Sequence, residues 1–313
     1  MRAVTIVDGE LVGADRPDPV PGDNEVVLAV RAAGLNAADL VQRLGFYPAP
    51  PGVPADIPGL EVAGEVVATG RRASRFAVGD RVMGVVGGGA QAEMAVIDES
   101  GALAVPDDLS WEEAGGFPEA FSTAHDALAT QCGLSLGDRV LVTGAAGGVG
   151  SAAVQIAAAT GATTVASVRS PELRPAVAAL GAAHAVAPEE ALGLGPFDVV
   201  LELVGASSLP GALGALAVGG RIAVIGVGSG ARVEIDLMTL MQRRARISGS
   251  TLRARSLVDK AAVARAVEAH VLPHLRSGRF RVPVEATFPL AEAAAAYERF
   301  AVGGKLGKIV LVP

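Results

Sequence analysis

The sequence predicts an α/β protein in which a doubly wound parallel sheet is joined to a second domain rich in β-strands. Three observations lead to this fold class. Short β segments separated by turns occupy residues 1–105, strands alternate with helices over residues 110–249, and one apolar strand leads through a glycine-rich turn directly into a helix. With 313 residues, the chain is long enough for two domains.

The alternating region consists of short apolar runs separated by segments with helical spacing. The predicted strands are residues 140–143, 164–168, 199–203, 221–225 and 246–250. Helices are expected to begin near Gly147, Pro171, Ser208 and Asp236. This alternation is typical of a parallel sheet of the Rossmann type.

The two ends of the chain have a different pattern. Residues 1–105 contain short strands punctuated by clusters of Gly, Pro and Asp, and short strands return after a helix predicted over residues 256–271. One more helix, over residues 291–300, precedes a final strand over residues 308–312. We therefore predict that residues 1–115 and 256–313 form the β-rich domain and that residues 116–255 form the Rossmann domain.

Composition excludes several classes of protein. Half of the residues are apolar and 19% are charged, which indicates a compact enzyme rather than a disordered chain. The net charge of −7 disfavours nucleic acid as a partner. A membrane-spanning helix needs about 20 consecutive apolar residues, and no apolar run approaches this length. Residues 2–7 have the pattern of a strand and not that of a signal peptide. The single cysteine, Cys132, excludes an internal disulfide, and a cytoplasmic location is expected.

The glycine-rich turn is the most informative local feature. It follows an apolar strand, opens a helix, and is nearly free of side chains, so its backbone amides can approach a pyrophosphate closely. A helix N-terminus also offers unpaired N–H groups and a partial positive charge to an anion. The turn is a variant of the dinucleotide fingerprint. Its candidate cofactor-binding residues are Ala145, Gly147, Gly148, Val149 and Gly150.

The end of the second Rossmann strand bears on which dinucleotide binds. NAD-specific sites usually place an Asp or Glu there for the ribose 2′-hydroxyl, and this chain has none at that point. It has Ser167, Arg169, Ser170 and Arg174 instead, and hydroxyl and guanidinium groups are good donors to a 2′-phosphate. These four residues predict NADPH as the cofactor. The alternative for either arginine is that it is a solvated surface charge without a role in cofactor binding.

Motifs distributed over almost the entire chain occur in the order typical of one family. They lie at residues 33–40, 45–47, 58–65, 79–82, 118–124, 144–150, 180–182 and 307–310. With these motifs the chain resembles the zinc-independent quinone oxidoreductase branch of the medium-chain dehydrogenase/reductase superfamily. The resemblance implies a GroES-like catalytic domain joined to a Rossmann domain.

Further site residues are implied by this resemblance. Tyr47 and Asn36 match residues at the catalytic end of the nicotinamide site. Additional cofactor contacts are implied for Thr123, Val204, Gly205, Ile225, Gly226 and Arg253. Two of these have simpler alternatives, since Tyr47 could pack over a proline-rich loop and Arg253 could pair with a surface carboxylate. Lys308, in a matching motif before the last strand, is expected to be solvated.

The residue types also indicate that no zinc is bound. Zinc-dependent relatives have a cysteine where this chain has Asn36 or Ala37, and a histidine where it has Leu60. A zinc site requires three or four Cys, His or carboxylate ligands. Glu61 and Glu65 remain, but without partners they are interpreted as structural. His270 and His274 are interpreted as partly exposed side chains at a helix end, because Pro273 interrupts a continuous helix.

These features predict an NADPH-dependent, zinc-independent oxidoreductase that transfers a hydride to a small-molecule quinone. An enoyl or enone reductase acting on an activated C=C bond is the enzymatic alternative, and in that case Tyr47 would supply a proton. A non-catalytic NADPH-dependent binding protein is the alternative from another class. The resemblance also implies a homodimer formed through an edge strand of the Rossmann sheet, either residues 221–227 or residues 246–250.

Overall fold

The computed structural model describes all residues from Met1 to Pro313 and divides them into two compact units. The first unit comprises Met1–Ser122, Leu252–Gly303 and Lys308–Pro313, and the second comprises Thr123–Thr251 and Gly304–Gly307. The predicted domain limits are 115/116 and 255/256, so the first boundary lies seven residues later and the second four residues earlier than predicted. Residues 304–307 return to the second unit, which the sequence pattern did not indicate.

The first unit is built around antiparallel β structure. Its strands are β1 (Arg2–Val7), β2 (Glu10–Asp15), β3 (Glu25–Gly34), β4 (Glu61–Thr69), β5 (Arg81–Val85), β6 (Met94–Asp98), β7 (Ala102–Ala104), β14 (Val284–Pro289) and β15 (Lys308–Val312). Strands β1 and β2 form a hairpin, and the larger sheet has the order β14-β15-β3-β4-β5-β7, with β6 paired to β3. Alternating apolar residues of β3, β4 and β5 bury one core, centred on Leu28, Val62 and Val82.

Six helices accompany this sheet. They are α1 (Ala37–Arg43), α2 (Trp111–Gly116), α3 (Pro118–His125), which contains the unit boundary, α9 (Leu257–His270), α10 (Leu272–Arg276) and α11 (Ala293–Val302). The helix predicted over residues 256–271 is α9, and it ends before Pro273, which lies in the first turn of α10. The interpretation that proline breaks the helix between His270 and His274 is therefore confirmed.

The second unit contains a six-stranded, entirely parallel sheet. Its strands are β8 (Arg139–Val142), β9 (Thr163–Ser167), β10 (His184–Val186), β11 (Phe197–Glu202), β12 (Leu216–Val224) and β13 (Arg246–Gly249). The order β10-β9-β8-β11-β12-β13 is that of a doubly wound dinucleotide-binding fold, so the predicted fold class is confirmed. The five strands expected from sequence are present, each shifted by a residue or a few, and the short β10 was not predicted.

The helices of the second unit connect successive strands. They are α4 (Gly148–Ala159), α5 (Arg174–Ala178), α6 (Pro188–Ala191), α7 (Leu209–Gly214) and α8 (Leu237–Arg243). A core of branched and aromatic side chains, including Val165, Phe197 and Leu213, is buried against the sheet. None of the protein's helices combines the length and the apolar character required to cross a membrane.

Candidate functional site

The glycine turn lies between the carboxyl end of β8 and the start of α4, as predicted. Gly147 is the N-cap of α4, so no side chain caps the helix, and no acidic residue lies in its first turn. The first amides of an α-helix have no partner within the helix. This end of α4 therefore presents donors and a partial positive charge that a phosphate can satisfy.

Two glycines of this turn serve different purposes. A Cβ added to Gly150 would approach the Gly144 carbonyl oxygen to 2.5 Å and the Ala145 Cα to 2.6 Å, so Gly150 is required for close packing of the turn against the helix. A Cβ added to Gly147 would meet only the Gly144 oxygen, at 3.4 Å. The backbone of Gly147 forms a parallel bridge with Gly307, while the direction that a Cβ would take is otherwise open. That open side fits the close approach of a pyrophosphate, so the residues present fit a dinucleotide.

The predicted 2′-phosphate residues lie at the end of β9 and in the seven residues after it. Ser167 ends the strand and is buried, whereas Arg169 is exposed and Ser170 and Arg174 are partly exposed. Nε of Arg174 donates to the Val168 carbonyl oxygen at 3.2 Å, which holds its side chain along the loop. Neither arginine forms an ion pair within the chain, so both guanidinium groups can meet an anionic ligand.

The ends of β11 and β12 lie close together. Val204, Ile225 and Gly226 are partly exposed there, and Gly205 is buried. A Cβ on Gly226 would approach the Leu203 carbonyl oxygen to 2.2 Å, so the two strand ends can come this close only with glycine at this position. The carboxyl edge of a doubly wound sheet is where such folds bind ligands. Thr123, which lies at the boundary within α3, is buried.

A buried ionic network occupies the first unit around Asn36 and was not predicted. Nζ of Lys308 contacts Oε1 of Glu61 at 2.5 Å and donates to Oδ1 of Asn36 at 2.7 Å and to the Leu35 carbonyl oxygen at 2.8 Å. Nδ2 of Asn36 donates to the same Glu61 oxygen at 2.9 Å. The other Glu61 oxygen accepts the backbone N–H of Glu119 at 2.9 Å. Every acceptor and donor here has a partner.

This network corrects one sequence-based expectation, that of a solvated Lys308, and is compatible with the structural interpretation of Glu61. Lys308 is not solvated, since only 3% of its surface is exposed, and Glu61 is fully buried with Lys308 as a direct ionic partner. The expectation failed because a residue next to a terminal strand is normally at the surface, whereas β15 lies inside the sheet between β14 and β3. The network fixes the Asn36 amide with its oxygen towards Lys308 and its nitrogen towards Glu61.

Asp39, in the first turn of α1, is also fully buried. Its carboxylate accepts the backbone N–H of Asn36 at 2.8 Å and that of Gly59 at 3.2 Å. Burial raises the pKa of Asp39 to about 6, although those two N–H groups and the positive charge of Lys308 act in the opposite direction. Asp39 thus carries a titration close to neutral pH inside the first unit.

This raised pKa predicts a pH-dependent stability. Between the ordinary pKa of 3.8 and about 6, the folded protein holds a proton on Asp39 that the unfolded chain has released. The stabilisation is therefore present at low pH and is lost as the pH rises through 6, by about 3 kcal/mol in total. We expect the difference in unfolding free energy between wild type and Asp39→Asn to fall by this order between pH 4 and 7 in urea titrations. Parallel pH profiles for the two proteins would contradict the assignment.

Tyr47 and Arg253 form a second cluster in the first unit. The Arg253 guanidinium lies 5.0 Å from the centre of the Tyr47 ring, and its Nη1 donates to the Tyr47 carbonyl oxygen at 2.8 Å. Its other donors go to the Gly87 carbonyl oxygen at 2.7 Å and to Oε1 of Gln42 at 2.6 Å. Burial raises the pKa of Tyr47, outweighing the opposite effect of Arg253, so the phenol stays protonated at neutral pH.

The surroundings of Arg253 contradict one of the two interpretations made from sequence, pairing with a surface carboxylate. It belongs to the first unit instead of the Rossmann unit, is 3% exposed, and forms no ion pair with a surface carboxylate. Its hydrogen bonds go to residues 166 and more positions away, which no local motif could indicate. A contact between Arg253 and cofactor stays a prediction. The Tyr47 ring contacts this arginine, and its packing over the proline-rich loop stays a prediction.

No group of three or more His, Cys, Asp or Glu side chains is arranged to hold a metal ion. His270 and His274 lie on different helices, α9 and α10. Cys132 is buried in the second unit, and burial raises the pKa of its thiol to about 11. A thiol with such a pKa is a poor metal ligand and a poor nucleophile at neutral pH.

Comparison with known proteins agrees with these features. Residues 22–107 match the alcohol dehydrogenase GroES-like domain, and residues 148–268 match the zinc-binding dehydrogenase family. Quinone oxidoreductase of Lama guanicoe is 32% identical over 94% of this chain and 90% of its own length, and the human one is 31% identical over 100% and 98%.

Solved structures extend the same result. The quinone oxidoreductase of Thermus thermophilus, solved also in complex with NADPH, is 36% identical and has a TM-score of 0.87, with 100% of both chains covered. A thermostable alcohol dehydrogenase from Pyrobaculum aerophilum, solved with cobalt and zinc, is 29% identical with a TM-score of 0.85, covering 100% of this chain and 99% of its own. Both metal-bound and NADPH-bound proteins thus share this fold.

The fold and these relatives define an oxidoreductase that uses a nicotinamide cofactor. The chain belongs to the medium-chain dehydrogenase/reductase superfamily, in its quinone oxidoreductase branch. The family identified from sequence motifs is therefore confirmed, as is the combination of a GroES-like domain with a Rossmann domain.

Proposed function

We propose that the protein is a zinc-independent NADPH:quinone oxidoreductase. The observation that carries the proposal is the uncapped N-terminus of α4, with open space at Gly147 and two arginines free of ion pairs after β9. When bound, the nicotinamide ring supplies a hydride to the acceptor. The chain's own residues bind the pyrophosphate and the 2′-phosphate and hold the amide of Asn36 in one orientation.

Quinone reduction suits the polar groups that this chain offers. A reduced quinone oxygen can take its protons from solvent, so no strong acid and no Lewis acid is required. The zinc ligands of metal-dependent relatives are replaced by Asn36 or Ala37 and by Leu60. Tyr47 keeps its proton at neutral pH, which supports the alternative of an enone reductase, where its hydroxyl would protonate the substrate carbon.

Turnover measurements test this proposal and separate its alternatives. NADPH oxidation should be followed against a panel of quinones and enones, before and after exhaustive treatment with a chelator. We expect quinone turnover that the chelator leaves unchanged. Faster turnover of enones would favour the second enzyme, and tight NADPH binding without turnover of any acceptor would favour a binding protein. Loss of activity together with loss of stoichiometric zinc would contradict zinc independence.

The preference for NADPH is expected to depend on Arg169. A hydrogen bond from a charged donor contributes about 1.5–3 kcal/mol, so Arg169→Ala should lower kcat/KM for NADPH by roughly ten- to a hundredfold. NADH lacks the 2′-phosphate and should be nearly unaffected. Arg276→Ala, an exposed arginine of the first unit, is the control for loss of one charge. If Arg169→Ala weakens both cofactors equally, Arg174 or the serines must hold the phosphate.

We further propose a cytoplasmic homodimer that binds neither nucleic acid nor membrane. Of the two strands considered, only β13 can form the interface, because β12 is paired on both sides, with β11 and with β13. Beside β13 in sequence, α8 exposes the apolar side chains of Leu237, Met238 and Met241. Light scattering of wild type and Met241→Glu tests this interface, since a charge there should yield monomers.

A further inference from the structure

One buried carboxylate lies at the point where the winding of the parallel sheet reverses. Glu202 is the last residue of β11, which pairs with β8 in the middle of the sheet. From β8 the strands β9 and β10 are added on one side, and from β11 the strands β12 and β13 are added on the other side. Doubly wound sheets bind their ligands outside the carboxyl ends of the strands at this reversal. Glu202 is 0% exposed, so it lies behind this edge and not on its surface.

Glu202 holds three strand ends together. Its Oε1 accepts hydrogen bonds from the hydroxyls of Thr143, at 3.1 Å, and Ser208, at 2.6 Å, and from the backbone N–H groups of Val204, at 2.7 Å, and Gly205, at 2.8 Å. Its backbone carbonyl oxygen accepts the N–H groups of Ile225 and Gly226. Thr143 follows β8, Val204 and Gly205 follow β11, and Ile225 follows β12.

The asymmetry of this carboxylate indicates what it is for. Oε1 accepts all four hydrogen bonds made to the side chain, while Oε2 is buried without any partner. Burying a carboxylate with one oxygen unsatisfied is unfavourable compared with an apolar side chain of similar size. The three residues of β11 before Glu202, Val199 to Leu201, are all apolar. Stability alone therefore does not account for a carboxylate at this position, whereas fixing the loop after β11 does.

We propose that Glu202 is a positioning residue for the nicotinamide half of the cofactor. The inference rests on the proposed function. Because the 2′-phosphate residues follow β9, the adenosine half of a dinucleotide lies over β8 to β10, and the other half lies over β11 and β12. Glu202 fixes Val204 and Gly205 on that second side without touching the ligand itself. Its loss should weaken binding of the whole cofactor and leave binding of the adenosine half unchanged.

Calorimetric titration of the full chain with NADPH and with adenosine 2′,5′-bisphosphate tests this. Glu202→Leu should bind NADPH at least roughly tenfold more weakly and bind the bisphosphate like wild type. Glu202→Gln, which keeps an acceptor for the Val204 and Gly205 amides, should recover most of the affinity. Thr164→Val is the matched control, because this buried β9 hydroxyl in the same sheet has no partner. Its titrations should equal those of wild type.

Should Glu202→Leu not fold, Thr143→Val removes the hydroxyl that bridges Glu202 and the Leu203 amide, and the same selective loss of NADPH affinity is expected. Equal losses of affinity for both ligands would show a merely structural role and overturn this inference alone. Unchanged NADPH affinity in Glu202→Leu would overturn it as well. If Glu202→Leu does not fold, unchanged NADPH affinity in Thr143→Val has the same meaning. If wild type binds neither ligand, the proposed cofactor site and this inference fail together.

Discussion

Replacing Gly147 with valine is expected to abolish binding of the nicotinamide cofactor while the fold stays intact. Gly147 has extended backbone angles, φ −72° and ψ 173°, which valine adopts readily. Its added Cβ would meet no atom closer than 3.4 Å, and exchanging glycine for valine at an N-cap costs about 1 kcal/mol or less. The isopropyl group would, however, occupy the space through which a pyrophosphate reaches the first amides of α4.

Calorimetric titration with NADPH should show a loss of affinity of at least about a hundredfold, with an unchanged circular dichroism spectrum. Gly214→Val is the matched control, since its Cβ would meet nothing within 4 Å. Gly214 ends α7 and leads into β12, at the edge of the sheet opposite the glycine turn. That variant should bind like wild type. NADPH affinity retained in Gly147→Val would mean that the turn serves only the packing of strand against helix.

The features predicted correctly from sequence are those that depend on neighbouring residues. The strand β8, the glycine turn and α4 follow one another within about twenty positions, so their periodicity and turn chemistry are visible in one window. The parallel sheet follows from repeated alternation of strands and helices. Pro273 also acted locally, ending one helix and beginning the next.

The features that sequence reasoning missed depend on residues distant in the chain. Lys308 and Asn36 are 272 positions apart in the sequence, and Arg253 and Tyr47 are 206 positions apart. A periodic pattern in the sequence cannot predict contacts between residues so far apart. One signal was visible nevertheless. Glu202 is a carboxylate directly after an apolar run in a predicted buried strand, and a charge there requires partners. The partners themselves, Thr143 and Ser208, became evident only with the strand order.

The ionic network of the first unit should be costly to break from one side. The ammonium group of Lys308 donates to three acceptors. Glu61 is fully buried, and both of its carboxylate oxygens have partners. Removing the ammonium group leaves Glu61 as a buried, uncompensated charge, whereas removing both charges leaves only a smaller hydrogen-bond deficit. The two cases differ by several kcal/mol, which makes them separable in a double-mutant cycle.

Lys308→Met is therefore expected to destabilise the protein by about 3–5 kcal/mol, because methionine keeps an unbranched apolar chain and lacks the terminal ammonium group. Adding Glu61→Gln to Lys308→Met should recover much of the lost unfolding free energy, because the glutamine amide is uncharged and leaves no unpaired charge in the interior. Urea titrations of wild type, both single variants and the double variant give the coupling energy. Lys260→Met, at a partly exposed lysine in the first unit, provides the control and should cost less than about 1 kcal/mol. Additive effects of Lys308→Met and Glu61→Gln would contradict a coupled pair, because only an interaction between the two side chains lets the second substitution relieve the first.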